Sequence, residues 1–249
     1  MFDLTGKVAL VTGAGQGVGA GIASMLARQG ATVAVNDLRL DRAQASADTI
    51  AATARTSRAF AFDVTDSEAV VAGVREVESG LGPIDILVNN AGNGGTELMV
   101  PKPFRETTPK EWRAAIDVNL YGVLNCSHAV INGMCNRGWG RVITIASDGG
   151  RIGVALGVAA YGAGKGGAIG FMRHLAVENA RSGVTANTVA LGLMNNVNAE
   201  RNAAVIKTIP VGRTGTPDDV GGLCVYLASE ESAWLTGQLI SINGGQSTF

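Results

Sequence analysis

The composition of this 249-residue chain indicates a compact, folded protein. It contains 35 glycines, 46% hydrophobic residues and 16% charged residues, and its formal net charge is −1. High apolar content with almost no net charge excludes an intrinsically disordered chain, and the lack of a Gly-x-y repeat excludes collagen. The near-neutral charge provides no overall attraction to nucleic acid or to an acidic membrane, so neither is an expected partner.

The predicted elements alternate between short apolar strands and longer helices along the whole chain. The strands are predicted at Val8–Val11, Thr32–Val35, Ala59–Phe62, Ile84–Val88, Arg141–Ile145, Val184–Val189 and Gln238–Ile242. The helices are predicted at Gly17–Gln29, Asp41–Arg55, Asp66–Ser79, Pro109–Arg137, Ala160–Arg181 and Pro217–Ser229. This alternation predicts an α/β fold with a doubly wound, parallel sheet of about seven strands and helices on both faces. No linker or repeat interrupts it, so residues 1–249 are predicted to form a single domain.

The first predicted strand ends in a glycine-rich turn, Thr12–Gly19. Its glycines permit close approach to a pyrophosphate, and the following helix offers free N–H groups. In a chain this rich in glycine, the turn alone fits a structural role equally well. Asp37 closes the second strand, where a carboxylate would bind the ribose hydroxyls of adenosine and repel a 2′-phosphate. The two features together predict a dinucleotide site that prefers NAD to NADP, and we interpret Arg39 and Arg42 nearby as solvated.

A second group of residues has the chemistry of proton transfer. Tyr161 and Lys165 stand four residues apart at the start of a predicted helix and therefore share one face. An ammonium beside a phenol favours the phenolate and lowers the tyrosine pKa. Ser147 follows the fifth strand at the edge of the sheet where ligands bind, and its hydroxyl is suited to hold a carbonyl oxygen. A tyrosine and a lysine at this spacing also arise by chance, and the serine is what favours a site.

The cysteines and the N-terminus indicate a cytoplasmic protein. Cys126, Cys135 and Cys224 show neither a disulfide framework nor metal-ligand spacing, so we expect buried thiols, no metal site and a reducing compartment. The segment from Met1 has no basic region followed by a long apolar stretch, and no apolar run approaches the roughly 18 residues of a membrane span. We therefore expect no signal peptide and no membrane partner.

Taken together, the motifs resemble those of the short-chain dehydrogenase/reductase family along nearly the whole chain. They are the Thr12–Gly19 turn (TGxxxGxG), Asp63-Val64, Asn89-Asn90-Ala91-Gly92 (NNAG), the helix residue Asn119, and Ser147 with Tyr161-x-x-x-Lys165. The resemblance implies a Rossmann-like fold and a nicotinamide-dependent oxidoreductase that interconverts a secondary alcohol and a ketone by hydride transfer. It is closest to 3-oxoacyl-thioester reductases and to cyclic-alcohol or hydroxyacyl-CoA dehydrogenases.

The resemblance also implies a role for each matching residue. Tyr161 would be the general acid and base, Ser147 would polarise the carbonyl, and Lys165 would lower the tyrosine pKa, hold the nicotinamide ribose and join a proton relay. Asn119 would hold a water in that relay, or alternatively kink or pack its helix. The implied cofactor-binding residues are Gly13, Gln16, Gly17, Val18, Gly19, Asp37, Asp63, Val64, Asn90, Gly92, Tyr161, Lys165, Gly192 and Met194.

The sequence departs from the family pattern after the fifth and sixth strands. Leu191-Gly192 replaces the usual Pro-Gly, and the residues that follow lack the threonine or serine that commonly binds the nicotinamide amide. Asn196 is the predicted substitute because its side chain both donates and accepts hydrogen bonds. Ala146 replaces a serine, and the Ser147-to-Tyr161 segment is one residue longer than usual. The glycines in that segment predict a flexible loop.

The predicted substrate-lining segments are mostly apolar. They are Asn93–Phe104, Gly149–Val158 and a substrate loop at about 193–210, with Arg151, Arg201 and Lys207 interpreted as surface residues. This lining favours an apolar or cyclic secondary alcohol, or a 3-hydroxyacyl thioester. The resemblance implies a homotetramer built through the helices at 109–137 and 160–181 and through the C-terminal helix and strand.

Two further interpretations stay open at this point. A protein with this fold can sense nucleotides or act as a scaffold without turnover. The departures from the family pattern at residues 191–196 are consistent with such a non-catalytic role. An isomerase, epimerase or dehydratase relative is the other alternative, although such relatives are usually longer.

Overall fold

The computed structural model describes residues 1–53, 56–93, 100–195 and 206–248. Within them, seven parallel strands form one sheet in the order β3-β2-β1-β4-β5-β6-β7. The strands are β1 (Val8–Val11), β2 (Thr32–Asp37), β3 (Ser57–Ala61), β4 (Ile86–Asn89), β5 (Gly140–Ser147), β6 (Val184–Leu191) and β7 (Leu239–Ile242). The predicted doubly wound α/β fold is confirmed, and the strand order reverses between β1 and β4.

Helices cover both faces of the sheet. They are α1 (Gly17–Arg28), α2 (Leu40–Ala51), α3 (Ser67–Leu81), α4 (Pro109–Ile116), α5 (Gly122–Arg137), α6 (Ala159–Asn179) and α7 (Pro217–Ala228). Successive strand residues point to opposite faces, so Ala9 and Val11 of β1 pack with α1, α2 and α7. Val8 and Leu10 pack with α3, α5 and α6 on the other face. Burial on both faces explains why the inner strands are mostly apolar, whereas the edge strands β3 and β7 are partly exposed.

The stretch Pro109–Arg137, predicted as one helix, is interrupted. A π-helical turn, Asp117–Tyr121, separates α4 from α5. Asn119 lies in this turn, and its Nδ2 donates to the Ala115 carbonyl at 2.8 Å. Side-chain insertion into a helix ladder is a common cause of such an interruption. The turn places Asn119 against the segment that follows β4.

The cysteines are mostly buried, as predicted. Cys126 and Cys224 lie in the core, and burial raises the pKa of each thiol to about 12, which leaves both unreactive near neutral pH. Cys135 is only half-buried, and its Sγ donates to Asn179 Oδ1 at 3.2 Å. In the described ranges, no helix has the length and apolar character needed to cross a bilayer.

Candidate active site

The turn between β1 and α1 is fixed by contacts to the segment after β4. Gly13 has a φ of +60°, and a Cβ at this position would lie 2.8 Å from the Cα of Ala91. Asn90 Nδ2 donates to the carbonyl oxygens of Thr12 and Gly13, both at 2.9 Å. Thr12 Oγ1 accepts from the N–H groups of Asn90 at 3.0 Å and Ala91 at 3.1 Å. Asn90 therefore has a positioning role, and the Thr12 hydroxyl is a further site group that the motif alone does not single out.

The N-terminus of α1 is suited to bind an anion. Gln16 precedes the helix in extended conformation without capping it, and the first turn contains no acidic residue. In contrast, Asp66 caps α3 with its side chain, and capping boxes at Thr108 and Thr216 begin α4 and α7. The first N–H groups of a helix need partners, and the helix dipole makes a negative charge favourable there. A pyrophosphate at the Gly13–Gly19 turn fits this requirement.

Asp37 lies against the same turn. Its Oδ2 accepts from the Gly15 N–H at 3.2 Å and its Oδ1 from the Arg39 N–H at 3.1 Å. A Cβ at Gly15 would lie 2.7 Å from Oδ2, so only glycine permits this approach. The Arg39 guanidinium points elsewhere and pairs with Asp41 at 2.6 Å in a solvent-exposed position, which agrees with its interpretation as a surface residue. The carboxylate of Asp37 is thus held at the carboxyl end of β2.

Asp63 and Val64 follow β3 and are anchored by the chain itself. Asp63 Oδ1 accepts from the N–H of Thr65 at 2.9 Å and from its hydroxyl at 2.8 Å. Val64 is buried, and its carbonyl accepts from Asn125 Nδ2 of α5 at 3.0 Å. These contacts hold this predicted cofactor-binding segment against the neighbouring helix.

Three of the predicted catalytic residues meet at the carboxyl edge of β5. Ser147 ends the strand, and its Oγ accepts from the Gly149 N–H at 3.2 Å. A Cβ at Gly149 would lie 3.6 Å from this Oγ and 3.9 Å from Cε1 of the Tyr161 ring, so the two side chains are neighbours. Lys165 lies one helical turn beyond Tyr161 in α6, with its Nζ 6.0 Å from the centroid of the tyrosine ring. This Nζ donates to the carbonyl of Ile145 at 2.7 Å. The arrangement places two hydroxyls and a cation around one point.

The proton affinities of Tyr161 and Lys165 follow from their burial. Desolvation raises the pKa of Tyr161 above its ordinary value of 10.0, and the hydrogen bond from Ser147 opposes this effect without reversing it. Desolvation lowers the pKa of Lys165 to about 8. The lowering of the tyrosine pKa that the sequence predicts is not seen here, because burial has the larger effect and Lys165 is not among the groups that shift this pKa. Tyr161 is a protonated phenol at neutral pH.

Asn119, the fourth predicted catalytic residue, lies next to this group but bonds to main chain. Its Nδ2 donates to the carbonyls of Ala115 at 2.8 Å and Asn93 at 2.6 Å, and its Oδ1 accepts from the Asn93 N–H at 3.2 Å. A Cβ at Gly92 would lie 2.9 Å from both Asn119 Oδ1 and Lys165 Nζ. The contacts match the packing alternative for Asn119, and glycine at position 92 permits the close approach.

Gly192 and Met194 occupy packed positions after β6. A Cβ at Gly192 would lie 2.8 Å from the Cα of Asn243. Met194 is 7% exposed, forms a short parallel bridge with Gly215, and its sulfur would lie 2.8 Å from a Cβ there. The side chain of Met194 therefore packs inside the protein, which does not support its prediction as a cofactor contact. Asn196, Arg201 and much of the predicted substrate loop lie outside the described residues.

Two of the predicted substrate segments contact each other. The Lys102 N–H donates to the Gly157 carbonyl at 3.0 Å, and Gly157 has a φ of +66°. Phe104 stacks on Trp112 with ring centroids 5.0 Å apart, and Phe104 and Leu156 are more than half exposed. This pair of loops presents an apolar surface beyond the carboxyl edge of the sheet.

The fold and the site together define a short-chain dehydrogenase/reductase. Residues 13–247 match the family model described as "Enoyl-(Acyl carrier protein) reductase". Together with the relatives below, this match shows that the chain belongs to the short-chain dehydrogenase/reductase family, whose members are oxidoreductases that bind a nicotinamide cofactor.

Relatives and solved structures resemble the chain over nearly its whole length. It is 40% identical to an acetoacetyl-CoA reductase of Shinella zoogloeoides, covering 96% of this chain and 98% of the relative. It is 37% identical to a 3-oxoacyl-[acyl-carrier-protein] reductase of Vibrio harveyi, covering 98% of each. A gluconate 5-dehydrogenase from Burkholderia cenocepacia, solved with NADP and tartrate, has a TM-score of 0.91, 33% identity and coverage of 98% of this chain and 96% of its own. A short-chain type dehydrogenase/reductase from Mycobacterium marinum has a TM-score of 0.93, 33% identity and coverage of 100% and 98%.

Proposed function

We propose that the protein is an NAD(H)-dependent oxidoreductase that interconverts a secondary alcohol and a ketone. The observation that carries the proposal is the meeting of Ser147, Tyr161 and Lys165 at the sheet edge where open α/β folds bind ligands. A phenol and a hydroxyl that both lie beside Gly149 are placed to contact one substrate oxygen together. A purely sensing or scaffolding role does not need this combination.

The proton chemistry follows from the positions of the three side chains. When bound, the nicotinamide supplies or accepts the hydride. In the reducing direction, the protonated phenol of Tyr161 gives its proton to the carbonyl oxygen. The Ser147 Oγ accepts from the Gly149 N–H, and its own proton is available to donate to the same oxygen. Lys165 places a cation near the phenolate that remains and stabilises it. In the oxidising direction the phenolate takes the proton back.

The cofactor-binding residues favour NAD over NADP. The uncapped start of α1 at Gly17–Gly19 would hold the pyrophosphate, and Asp63 and Val64 would border the adenine. Asp37 is 8% exposed, and the Gly15 N–H holds its carboxylate beside the turn. There the carboxylate would accept hydrogen bonds from the ribose hydroxyls and would repel a 2′-phosphate. The Burkholderia relative was solved with NADP, so the cofactor preference is the part of the proposal that most requires measurement.

Among the predicted substrates, a 3-oxoacyl or 3-hydroxyacyl thioester is best supported. Two relatives of nearly equal length are named as reductases of acetoacetyl-CoA and of 3-oxoacyl groups on acyl carrier protein. The apolar surface of the loops that carry Phe104 and Leu156 suits an acyl chain. An apolar or cyclic secondary alcohol is the alternative, and the gluconate dehydrogenase relative makes a sugar acid the natural third substrate for comparison.

A substrate panel with each cofactor tests the proposal. Acetoacetyl-CoA, cyclic ketones and 5-ketogluconate are offered with NADH and with NADPH, and cofactor absorbance is followed. We expect turnover of acetoacetyl-CoA with NADH, and we expect Tyr161→Phe to lower kcat by at least about 1,000-fold while NADH binding is kept. NADH binding with no turnover of any substrate would instead support the sensing alternative. Full activity in Tyr161→Phe would contradict the assignment of the acid and base.

A further inference from the structure

The residue that follows Ser147 carries a buried carboxylate. Asp148 is 7% exposed and opens a 3₁₀ turn, Asp148–Gly150. Its Oδ2 accepts from Asn243 Nδ2 at 2.8 Å and from the Ser247 hydroxyl at 3.3 Å, and its Oδ1 accepts from the Arg151 guanidinium at 3.4 Å. A carboxylate is rarely buried without such partners because its desolvation is costly. The turn is therefore ordered, although the glycines predicted a flexible loop.

The partners of Asp148 come from the end of the chain, which folds back on itself. Asn243 Nδ2 also donates to the main-chain carbonyl of Ser247 at 3.1 Å and to its Oγ at 2.8 Å. The Gly245 N–H donates to Asn243 Oδ1 at 3.0 Å. Arg151, interpreted from the sequence as a surface residue, is instead mostly buried with its side chain 16% exposed, and it donates to the Ser247 hydroxyl as well. Residues 243–247 thus form a closed segment, here called the C-terminal clasp, that is attached to the turn through Asp148 and Arg151.

The same turn holds the Ser147 hydroxyl and touches α6. Gly149 supplies the N–H that donates to Ser147 Oγ. A Cβ at Gly162 would lie 2.6 Å from the Gly149 carbonyl oxygen, and a Cβ at Gly150 would lie 2.6 Å from the Cβ of Lys165. Because the turn packs this closely on the helix, a small displacement of it changes the position of Ser147 relative to the residues of α6.

We propose that Asp148 is a positioning residue, which acts with the C-terminal clasp to hold the Ser147 hydroxyl in its reactive position. The inference rests on the function proposed above and adds a residue that has no role in it. Asp148 binds the clasp through its side chain, and its carbonyl accepts from the N–H groups of Arg151 at 2.9 Å and Ile152 at 2.8 Å, which closes the turn that contains Gly149. It therefore connects a part of the chain 95 residues away to the reactive hydroxyl. Loss of the carboxylate would free the turn without removing any group that contacts substrate.

Kinetics of the full-length protein test this role. We expect Asp148→Ala and Ser247→Ala to lower kcat for the best substrate, Asp148→Ala by about 10- to 100-fold, because displacement of a reacting group by about 1 Å has effects of this size. The loss should fall on kcat more than on NADH affinity, because the Asp148 carboxylate bonds to the clasp and to Arg151, while only Asn243 and Gln246 of the clasp adjoin the predicted cofactor residue Gly192. Asp148→Asn keeps an acceptor for Asn243 and should recover part of the loss. Thr248→Ala, at the exposed residue next to the clasp, is the matched control and should behave as wild type.

The decisive measurement combines Asp148→Ala with Ser147→Ala. If Asp148 acts through Ser147, its removal has little further effect on kcat once the serine hydroxyl is absent. A purely structural role predicts the same loss in both backgrounds, and this result would overturn the inference. Wild-type kcat in both Asp148→Asn and Ser247→Ala would overturn it as well, even if Asp148→Ala does not fold. If the wild type turns over no substrate, the proposed function fails, and the inference fails with it.

Discussion

Lys165 is a cation with almost no access to water. Its residue exposure is 4%, and the partner of its Nζ is the uncharged carbonyl of Ile145. Replacing a buried charge with an apolar group of similar size is often neutral or stabilising. A buried lysine that lowers the stability of the fold therefore indicates a functional role for its charge. Its place beside Tyr161 and Ser147 supplies that function.

We predict that Lys165→Met stabilises the protein at pH 7 by on the order of 2 kcal/mol, because the penalty for burying the ammonium disappears. The pKa of Lys165 is about 8 in the folded protein and has an ordinary value of 10.5. Between these two pKa values the unfolded chain binds more protons at this lysine than the folded protein does. The contribution of Lys165 to the unfolding free energy of the wild type therefore becomes more favourable as the pH rises. The advantage of the variant should therefore shrink from about pH 8 to about pH 10. Urea unfolding across this range measures it.

Lys207→Met is the matched control for this prediction, since Lys207 is an exposed lysine. Its unfolding free energy should follow that of the wild type at every pH. A stability difference between Lys165→Met and wild type that stays constant with pH would show that the buried charge is not its source.

Asp37 offers a separate test at the level of one charge. Its carboxylate lies at the end of β2 beside the Gly15 N–H. We predict that Asp37→Asn changes the ratio of NADH to NADPH affinity by about tenfold in favour of NADPH, since repulsion of a 2′-phosphate is removed. Fluorescence titration with the two reduced cofactors measures the ratio. Asp48→Asn, an exposed position in α2, carries the same change in net charge and should leave it unaltered.

Among the secondary-structure connections, the turn between β1 and α1 requires glycine at position 13 for two reasons. Gly13 combines a φ of +60° with a backbone neighbour, Ala91, that a Cβ would meet at 2.8 Å. Gly138 has a φ of +69° but no atom within 4 Å of a Cβ. Alanine at Gly138 therefore adds only backbone strain, whereas alanine at Gly13 adds a collision as well.

We predict that Gly13→Ala destabilises the protein by about 2 kcal/mol more than Gly138→Ala. Gly13→Ala should also weaken NADH binding strongly, because the β1–α1 turn and the N–H groups of α1 move apart from Asn90. Thermal unfolding and NADH titration of both variants check this. Equal destabilisation by the two substitutions would contradict the prediction, because it would mean that the turn moves enough to avoid the contact between the new Cβ and Ala91.

Apolar periodicity predicted the strands and the layer order, because strands buried on both faces are continuous apolar runs. It did not predict the π-helical turn at Asp117–Tyr121. One added residue hardly changes the hydrophobic spacing of a helix, and the turn is held by Asn119 bonding to Asn93, which belongs to another segment. Strand ends also differ by one or two residues in both directions: pairing with Ala61 extends β2 to Asp37, whereas β4 begins at Ile86 instead of Ile84.

In the whole molecule, the sequence motifs predicted which side chains lie together at the site. Burial and contacts between distant parts of the chain determine the pKa values and hydrogen bonds of those side chains. Tyr161 and Lys165 share a helix face as their spacing indicates, yet packing of the surrounding layers raises the tyrosine pKa instead of lowering it. Thr12 with Asn90 and Asp148 with Asn243 are pairs 78 and 95 residues apart. No local pattern marks such pairs, because they depend on the closure of the sheet edge as a whole.

The assembly of the molecule is the last property open to test. The family resemblance implies a homotetramer through α5, α6 and the C-terminal helix and strand. Val177 of α6 is 80% exposed and Trp234, just before β7, is 100% exposed, and large apolar side chains of this kind often mark an interface. We therefore predict a particle of about four times the chain mass of 25.4 kDa, measured by light scattering after size exclusion.

Val177→Glu should shift this particle to a smaller species, because an unpaired carboxylate at a subunit interface costs several kcal/mol. Val71→Glu introduces the same charge on α3, outside the elements assigned to the interface, and should leave the mass unchanged. A wild-type mass equal to one chain would contradict the assembly outright. A tetramer that survives Val177→Glu would instead place the contact on another face, and Trp234→Glu then distinguishes the C-terminal surface from α6.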